Sequence, residues 1–242
     1  MKISGNKILV TGGASGIGLG LTERFLKEGN KIIICGRRID LLEEVQGKFP
    51  QMVTRQCNLS QATQCEEFAS WISSEHPDLN VLVNNAGIQQ WMKITDGNFF
   101  DRAKEEIAIN AEGPVHLISL LLNLKSIDTI LNVTSALSFV PIVRMPVYCA
   151  TKAFMHSYTL SLRHLLKPKG IEVIEIIPPA LNTDLGGKGL HDYAPPVAGF
   201  IDAVFEQLIA GRNEITYGYS ESMIRSGPEE LQKTFERMNS RG

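Results

Sequence analysis

The stretch Lys7-Ile8-Leu9-Val10-Thr11-Gly12-Gly13-Ala14-Ser15-Gly16-Ile17-Gly18 decides the fold. It opens as a short apolar run of strand length, passes through a glycine-rich turn and enters an amphipathic helix over 17–28. Glycines in such a turn let the backbone approach a phosphate closely, and a helix N-terminus offers free N–H groups and the positive end of its dipole. The spacing is TGxxxGxG. The common GxGxxG pattern does not fit, because Leu21 stands where its third glycine would be. A plain tight turn is the alternative. Coming after the first strand of an alternating chain, the segment reads as a dinucleotide site, with Gly12, Ser15, Gly16, Ile17 and Gly18 as the contacts.

Outward from this turn, short apolar runs at 7–10, 31–35, 52–56, 81–84, 129–134, 171–177 and 214–217 alternate with helical stretches. The helices are expected at 17–28, 39–48, 62–74, 99–121, 147–166 and 197–209. That alternation predicts an α/β protein: a single doubly wound Rossmann domain over 1–242, a parallel seven-stranded sheet with helices on both faces. The tail past about 220 reads as a peripheral extension with one more helix near 229–238. Composition agrees, with 242 residues, 43% hydrophobic and 21% charged, and a balance of 24 basic against 26 acidic residues. A net charge of −2 points to neither nucleic acid nor an anionic membrane. No apolar run reaches membrane-spanning length. The first strand starts too early to leave room for a signal peptide, and Cys35, Cys57, Cys65 and Cys149 show no metal or CxxC spacing. The expectation is a cytoplasmic protein with reduced thiols and no metal site.

The end of the second strand discriminates between cofactors. An acidic residue there serves the ribose hydroxyls of NAD. Here the strand runs into Gly36-Arg37-Arg38, and a guanidinium suits the 2′-phosphate of NADP. The expected cofactor is therefore NADP rather than NAD, with Arg37 and Arg38 as contacts. Farther on, Tyr148-Cys149-Ala150-Thr151-Lys152 places a phenol and an ammonium four residues apart on one helix face. A phenol near pKa 10 is a poor acid–base group at neutral pH unless a fixed positive charge stabilises the phenolate.

Together these motifs resemble the single-domain short-chain dehydrogenases/reductases. The match runs from about 5 to 217: TGxxxGIG at 11–18, Asn84-Asn85-Ala86-Gly87, Asn110 in the long helix, Ser135 after the fifth strand, and Tyr148 with Lys152. The stretches 146–152, 162–164 and 173–179 look like the DltE-like oxidoreductase branch. The resemblance implies that Tyr148 is the general acid/base and that Ser135 bonds the substrate oxygen. It implies that Lys152 lowers the tyrosine pKa and binds the nicotinamide ribose, while Asn110 holds a relay water. It adds cofactor contacts from Asn58, Leu59, Asn85, Ala86, Gly87, Pro178 and Thr183. Asn58 replaces the usual aspartate, and Pro178-Pro179 replaces the usual Pro-Gly.

The function expected is hydride transfer between NADP(H) and a small alcohol or carbonyl. The alternative is a non-catalytic dinucleotide-binding sensor or scaffold, for which Ser135 and Tyr148 together would have no use. A sugar-nucleotide epimerase would want a larger C-terminal domain. Gln89-Gln90 and the segment 142–145 flank the expected site. On the helix from Val147, the residues Val147, Ala150, Phe154, Tyr158, Leu162 and Leu165 read as the core stripe. Cys149, Ala153, His156, Leu160 and His164 read as a contact face for a homo-oligomer, a dimer or tetramer. Pro114 cannot offer an N–H to the Asn110 carbonyl, which predicts a bend in the long helix there.

Overall fold

In the strands, successive side chains point to opposite faces, and here both faces are apolar. Ile8 and Val10 enter one core, and Leu9 enters the other. Likewise Ile32 and Ile34 separate from Ile33, and Val81 and Val83 from Leu82. The computed structural model, which describes residues 1–240, assembles these runs into one seven-stranded parallel sheet of order β3-β2-β1-β4-β5-β6-β7. The strands are β1 (Lys7–Thr11), β2 (Lys31–Gly36), β3 (Val53–Gln56), β4 (Val81–Asn84), β5 (Thr129–Val133), β6 (Glu172–Ile177) and β7 (Glu214–Thr216). The helices are α1 (Gly16–Lys27), α2 (Ile39–Lys48), α3 (Ala62–Glu75), α4 (Phe99–Ile107), α5 (Gly113–Leu121), α6 (Pro146–Leu166), α7 (Val197–Ile209), α8 (Tyr219–Arg225) and α9 (Pro228–Asn239). Leu21 and Phe25 of α1 and Phe200, Val204 and Phe205 of α7 fill one layer, with the Phe25 and Phe205 rings 4.7 Å apart. Phe68 and Ile72 of α3, Leu117 and Leu121 of α5, and Leu162 and Leu166 of α6 fill the other. Strand order reverses at β1, between β2 and β4. The crevice beyond the carboxyl ends of β1 and β4 is therefore the place for a ligand.

Two expectations are corrected. The segment 99–121 is helical throughout, as expected, but it is not a uniform α-helix: a π-helical turn at Ala108–Glu112 lies between α4 and α5. Pro114 has no N–H, and the Gly113 N–H reaches back five residues to the Ala108 carbonyl. Gly113 also lies against the loop after β3: a Cβ there would meet the Leu59 carbonyl oxygen at 2.7 Å. The second correction concerns α6. Its buried face is Tyr148, Lys152, Met155, Thr159, Leu162 and Leu166, in steps of 4, 3, 4, 3 and 4. Ala150, Phe154 and Leu165 of the expected core stripe are exposed, and Val147 and Tyr158 are only partly buried. Of the expected contact face, Cys149 is buried and His156 is bonded to Glu175, whereas Leu160 and His164 are exposed. The helix is rotated because Tyr148 and Lys152 turn toward the sheet, and apolar residues counted as core are left outside.

The tail is tied to the loops around the crevice. Leu231, Phe235 and Met238 of α9 pack on Phe139 and Val140. Asn239 donates to the Pro141 carbonyl at 3.0 Å and accepts the Val143 N–H at 2.8 Å. The Ala180 N–H donates to the Tyr219 hydroxyl. Among the described residues no helix is long and apolar enough to cross a membrane.

Candidate active site

The glycine-rich turn is lashed to β4 by two side chains. Thr11 Oγ1 accepts the N–H groups of Asn85 and Ala86, both at 3.0 Å. Asn85 Nδ2 donates to the carbonyls of Thr11 (3.0 Å) and Gly12 (3.3 Å). Asn85 thus shapes the loop with its side chain. Gly12 and Gly16 take positive φ of 65° and 53°, the left-handed region that a side chain disfavours. Gly18 is required for a different reason: a Cβ there would sit 2.2 Å from the Gly12 carbonyl oxygen and 2.4 Å from Asn85 Nδ2. Ser15 precedes α1 without capping it through its side chain, so that side chain satisfies none of the first-turn N–H groups. Ile17 lies in that first turn, partly buried against the α1–α7 core. Thr183 comes from the loop after β6 and stands beside Gly16.

At the end of β2, Arg38 Nη2 donates to Ser15 Oγ at 3.0 Å, placing a guanidinium at the glycine-rich turn. Arg37 turns the other way, to Glu105 Oε1 at 3.2 Å. The strand end Gly36-Arg37-Arg38 carries no carboxylate, and the one that pairs with Arg37 comes from α4. Asn58 Oδ1 accepts both the N–H and the hydroxyl of Ser60, at 3.2 and 2.9 Å. Only its Nδ2 is left to meet a ligand. Leu59 is buried beside Gly113, and the Pro178 carbonyl accepts the Ala136 N–H at 3.0 Å.

Three segments, the π turn, the end of β5 and α6, bring Asn110, Ser135 and the pair Tyr148 and Lys152 to one region, all buried. Asn110 exchanges two bonds of 2.8 Å with the backbone of Ile88 and donates to Thr151 Oγ1 at 3.2 Å. A Cβ on Gly87 would lie 3.2 Å from Asn110 Oδ1 and 3.7 Å from Lys152 Nζ, so these two groups converge on that glycine. Lys152 Nζ donates to the Val133 carbonyl at 2.9 Å and stands 5.7 Å from the centre of the Tyr148 ring. Ser135 Oγ accepts the Leu137 N–H at 3.1 Å, which fixes its rotamer. Burial pushes the Tyr148 phenol well above its usual value, Cys149 adds to this, and the Ser135 hydroxyl pulls it back. Burial lowers Lys152 to about 8, against the pull of Glu106. The flanking segments also find places. Ile142, Leu137 and Leu185 pack with Met145 and Tyr148 as an apolar wall. Gln89 is buried beside Gly186, and its Nε2 has no partner among the described residues.

Sequence reasoning missed Glu106. It is fully buried on α4, and its Oε1 accepts the Gln90 N–H at 2.9 Å. Inside Lys104-Glu105-Glu106 it resembles a solvated charge run. Its position one turn before Asn110, on the same helix face, was the available signal.

The model of the family described as short chain dehydrogenase matches residues 6–193. The chain is 39% identical over 250 residues to the uncharacterized oxidoreductase DltE of Bacillus subtilis, covering 99% of this chain and 98% of that protein. It is 29% identical over 175 residues to the NADP-dependent 3-hydroxy acid dehydrogenase YdfG of Escherichia coli, covering 71% of each chain. The structure superposes on a short chain dehydrogenase of Burkholderia cenocepacia in complex with NADP, with a TM-score of 0.85 and 26% identity, covering 98% of this chain and 99% of that one. With its parallel sheet, its glycine-rich turn and this breadth of match, the chain belongs to the short-chain dehydrogenase/reductase family of oxidoreductases.

Proposed function

We propose that the protein is an NADP(H)-dependent oxidoreductase acting on a small alcohol/carbonyl pair, with Tyr148 as the proton donor and acceptor. The convergence of Asn110, Ser135, Tyr148 and Lys152 beyond the strand ends carries the reading. The residues fit the cofactor. Gly12 and Gly16 in left-handed backbone, the close approach at Gly18 and the free turn of α1 make a pyrophosphate cradle. Arg38 at Ser15 and Arg37 beside it supply cations for a 2′-phosphate. Arg37 gives up only an exposed pair with Glu105, worth under about 1 kcal/mol. Ile17, Ala86, Gly87, Pro178 and Thr183 would make the remaining contacts to the cofactor, Thr183 from its place beside Gly16. Asn58 Nδ2 would donate to an adenine nitrogen, with Leu59 packed behind it. The names of the E. coli and Burkholderia proteins, NADP-dependent and NADP-bound, support this choice of cofactor. When bound, NADP(H) supplies or takes the hydride at its nicotinamide ring.

The chain's own residues handle the proton. In reduction, a phenol kept protonated by burial is poised to donate to the oxygen that becomes an alcohol. Ser135 orients that oxygen. The Lys152 ammonium faces the phenolate left behind. A unit charge at about 6 Å, in an effective dielectric of about 20, is worth about 3 kcal/mol, or roughly two pH units on the phenol. The apolar wall of Leu137, Ile142, Met145 and Leu185 favours a substrate with an aliphatic body. The exposed apolar residues Phe100 and Ile107 of α4 and Phe154 and Leu165 of α6 would be covered in a two-fold homodimer.

The test is NADPH consumption against a panel of aldehydes, ketones and 3-oxo acids. Turnover on some of them, falling about 10²-fold in Ser135→Ala, is expected. No turnover across the panel despite tight NADPH binding would favour a binding module instead.

A further inference from the structure

Glu106 and Asn110 lie one helical turn apart, and the residues they hold, Gln90 and Ile88, lie two apart along the chain after Gly87. A helical turn rises about 5.4 Å, and two extended residues span about 6.6 Å, so the spacings match. Asn110 takes the Ile88 N–H and Glu106 Oε1 takes the Gln90 N–H. One oxygen of the carboxyl is thereby used. The other, Oε2, is buried and has no partner among the described residues. A buried carboxylate oxygen without a donor is costly, so burial here favours the protonated carboxyl unless a nearby positive charge offsets it. Asn110 Oδ1 and Lys152 Nζ converge on Gly87, at the start of the short loop whose Ile88 and Gln90 are held by Asn110 and Glu106, so the buried carboxyl and the buried ammonium flank one loop. The charge of Glu106 raises Lys152 there, and raises Tyr148 and Cys149 as well.

We propose that Glu106 is a positioning residue of the catalytic site, whose ionised carboxylate keeps the proton on Lys152 and so keeps an ammonium beside Tyr148. Glu106 touches neither reacting atom and acts through the lysine. The groups that face it are Arg102 and Glu105 from α4, Lys152, Tyr148 and Cys149 from α6, and the Gln90 N–H from the loop. Burial raises it to about 7. Arg102, Lys152 and the Gln90 N–H pull it down, and Glu105 pushes it up. Lys152 is lowered by burial to about 8. Lys152 pulls the carboxyl down and the carboxyl pulls Lys152 up, so the buried ammonium and the buried carboxylate each favour the other's charged form.

The proposal rests on Lys152 and Tyr148 being the acid–base pair, and its test needs no turnover. In cofactor-free protein, Lys152 is followed by NMR of the ε-carbon, and Glu106 by the infrared stretch of its protonated carboxyl. The wild type should show the carboxyl band disappearing near pH 7 and Lys152 titrating near 8. Glu106→Gln retains an oxygen for the Gln90 N–H and loses the charge. In it the band is absent and the Lys152 midpoint falls by roughly one unit. The reciprocal variant, Lys152→Met, raises the Glu106 midpoint and keeps the test open should the first variant fold poorly. A Lys152 midpoint unmoved in Glu106→Gln, or a Glu106 midpoint unmoved in Lys152→Met, overturns the proposal. In a turning-over enzyme, Glu106→Gln would also shift the alkaline limb of the kcat profile to lower pH. A purely structural clamp would leave that limb in place.

Discussion

Gly18→Ala sets two physical effects against each other. Gly18 lies within the first turn of α1 and needs no positive φ. By helix propensity alone, alanine there would stabilise the fold by up to about 1 kcal/mol. The geometry opposes this. The new methyl would lie 2.2 Å from the Gly12 carbonyl oxygen, 2.4 Å from Asn85 Nδ2 and 2.9 Å from the Gly12 carbonyl carbon. Ordinary carbon–oxygen contacts start near 3.3 Å, so the turn and helix must part by about 1 Å. The group pushed is backbone, and Asn85 bonds the same carbonyl, so no flexible end can give way. Overpacking of this kind costs about 1–3 kcal/mol, which leaves a net loss of up to about 2 kcal/mol and a Tm lower by up to about 8 °C. The displaced turn is the phosphate cradle, so NADPH affinity should fall at least tenfold, about 1.4 kcal/mol. Gly47→Ala is the control. Gly47 is exposed in α2 with nothing within 4 Å of its Cβ position, and its alanine variant should gain stability and leave NADPH binding unchanged. Thermal unfolding and NADPH fluorescence titration read both variants. A Gly18→Ala protein as stable as the wild type, with affinity within twofold, would refute the close-approach argument.

Other outcomes follow from the same structure. NADP(H) should bind at least tenfold tighter than NAD(H), about 1.4 kcal/mol, and Arg37→Ala should remove most of that gap; equal affinities in the wild type would sink the cofactor assignment. Glu106 is raised from 4.5 to about 7 on folding, so the stability tied to its protonated form is complete below 4.5 and is lost as the pH rises through 7. Glu106→Gln escapes that loss, and urea unfolding should show it gaining on the wild type by up to about 3 kcal/mol between pH 5 and 8; a constant difference across that range counts against the raised value. Light scattering at micromolar concentration should report a dimer that Phe154→Glu converts to monomer, and a monomeric wild type would show that α4 and α6 face solvent.

The sheet was legible because each strand is a short apolar run with turn residues at its ends, and every strand falls within a residue or so of its expected place. The candidate site was legible because the glycine-rich turn, Arg37, Arg38 and Ser135 follow strand ends, while Tyr148 and Lys152 share one face of a helix. Three features were not. The π turn arises from one missing N–H at Pro114 and one close approach at Gly113, and the second of these is a contact with a distant loop. The rotation of α6 escaped a count of apolar residues because this helix buries a tyrosine, a lysine and two threonines, while a phenylalanine and two leucines stay outside. The pairing of Arg37 with Glu105 and the burial of Glu106 depend on where α4 lies against the sheet, which periodicity within α4 does not encode.

The central claim is that Tyr148 moves the proton that accompanies hydride transfer. Tyr148→Phe removes one hydroxyl from a buried site and leaves the glycine-rich cradle and both arginines in place. With a substrate that the wild type reduces, single-turnover loss of NADPH absorbance, measured beside NADPH binding to the same protein, separates chemistry from cofactor capture. The account predicts wild-type affinity for NADPH and a rate of hydride transfer lower by at least about 10³-fold, at the upper end for a lost general acid. Transfer at a near-normal rate in Tyr148→Phe would contradict it.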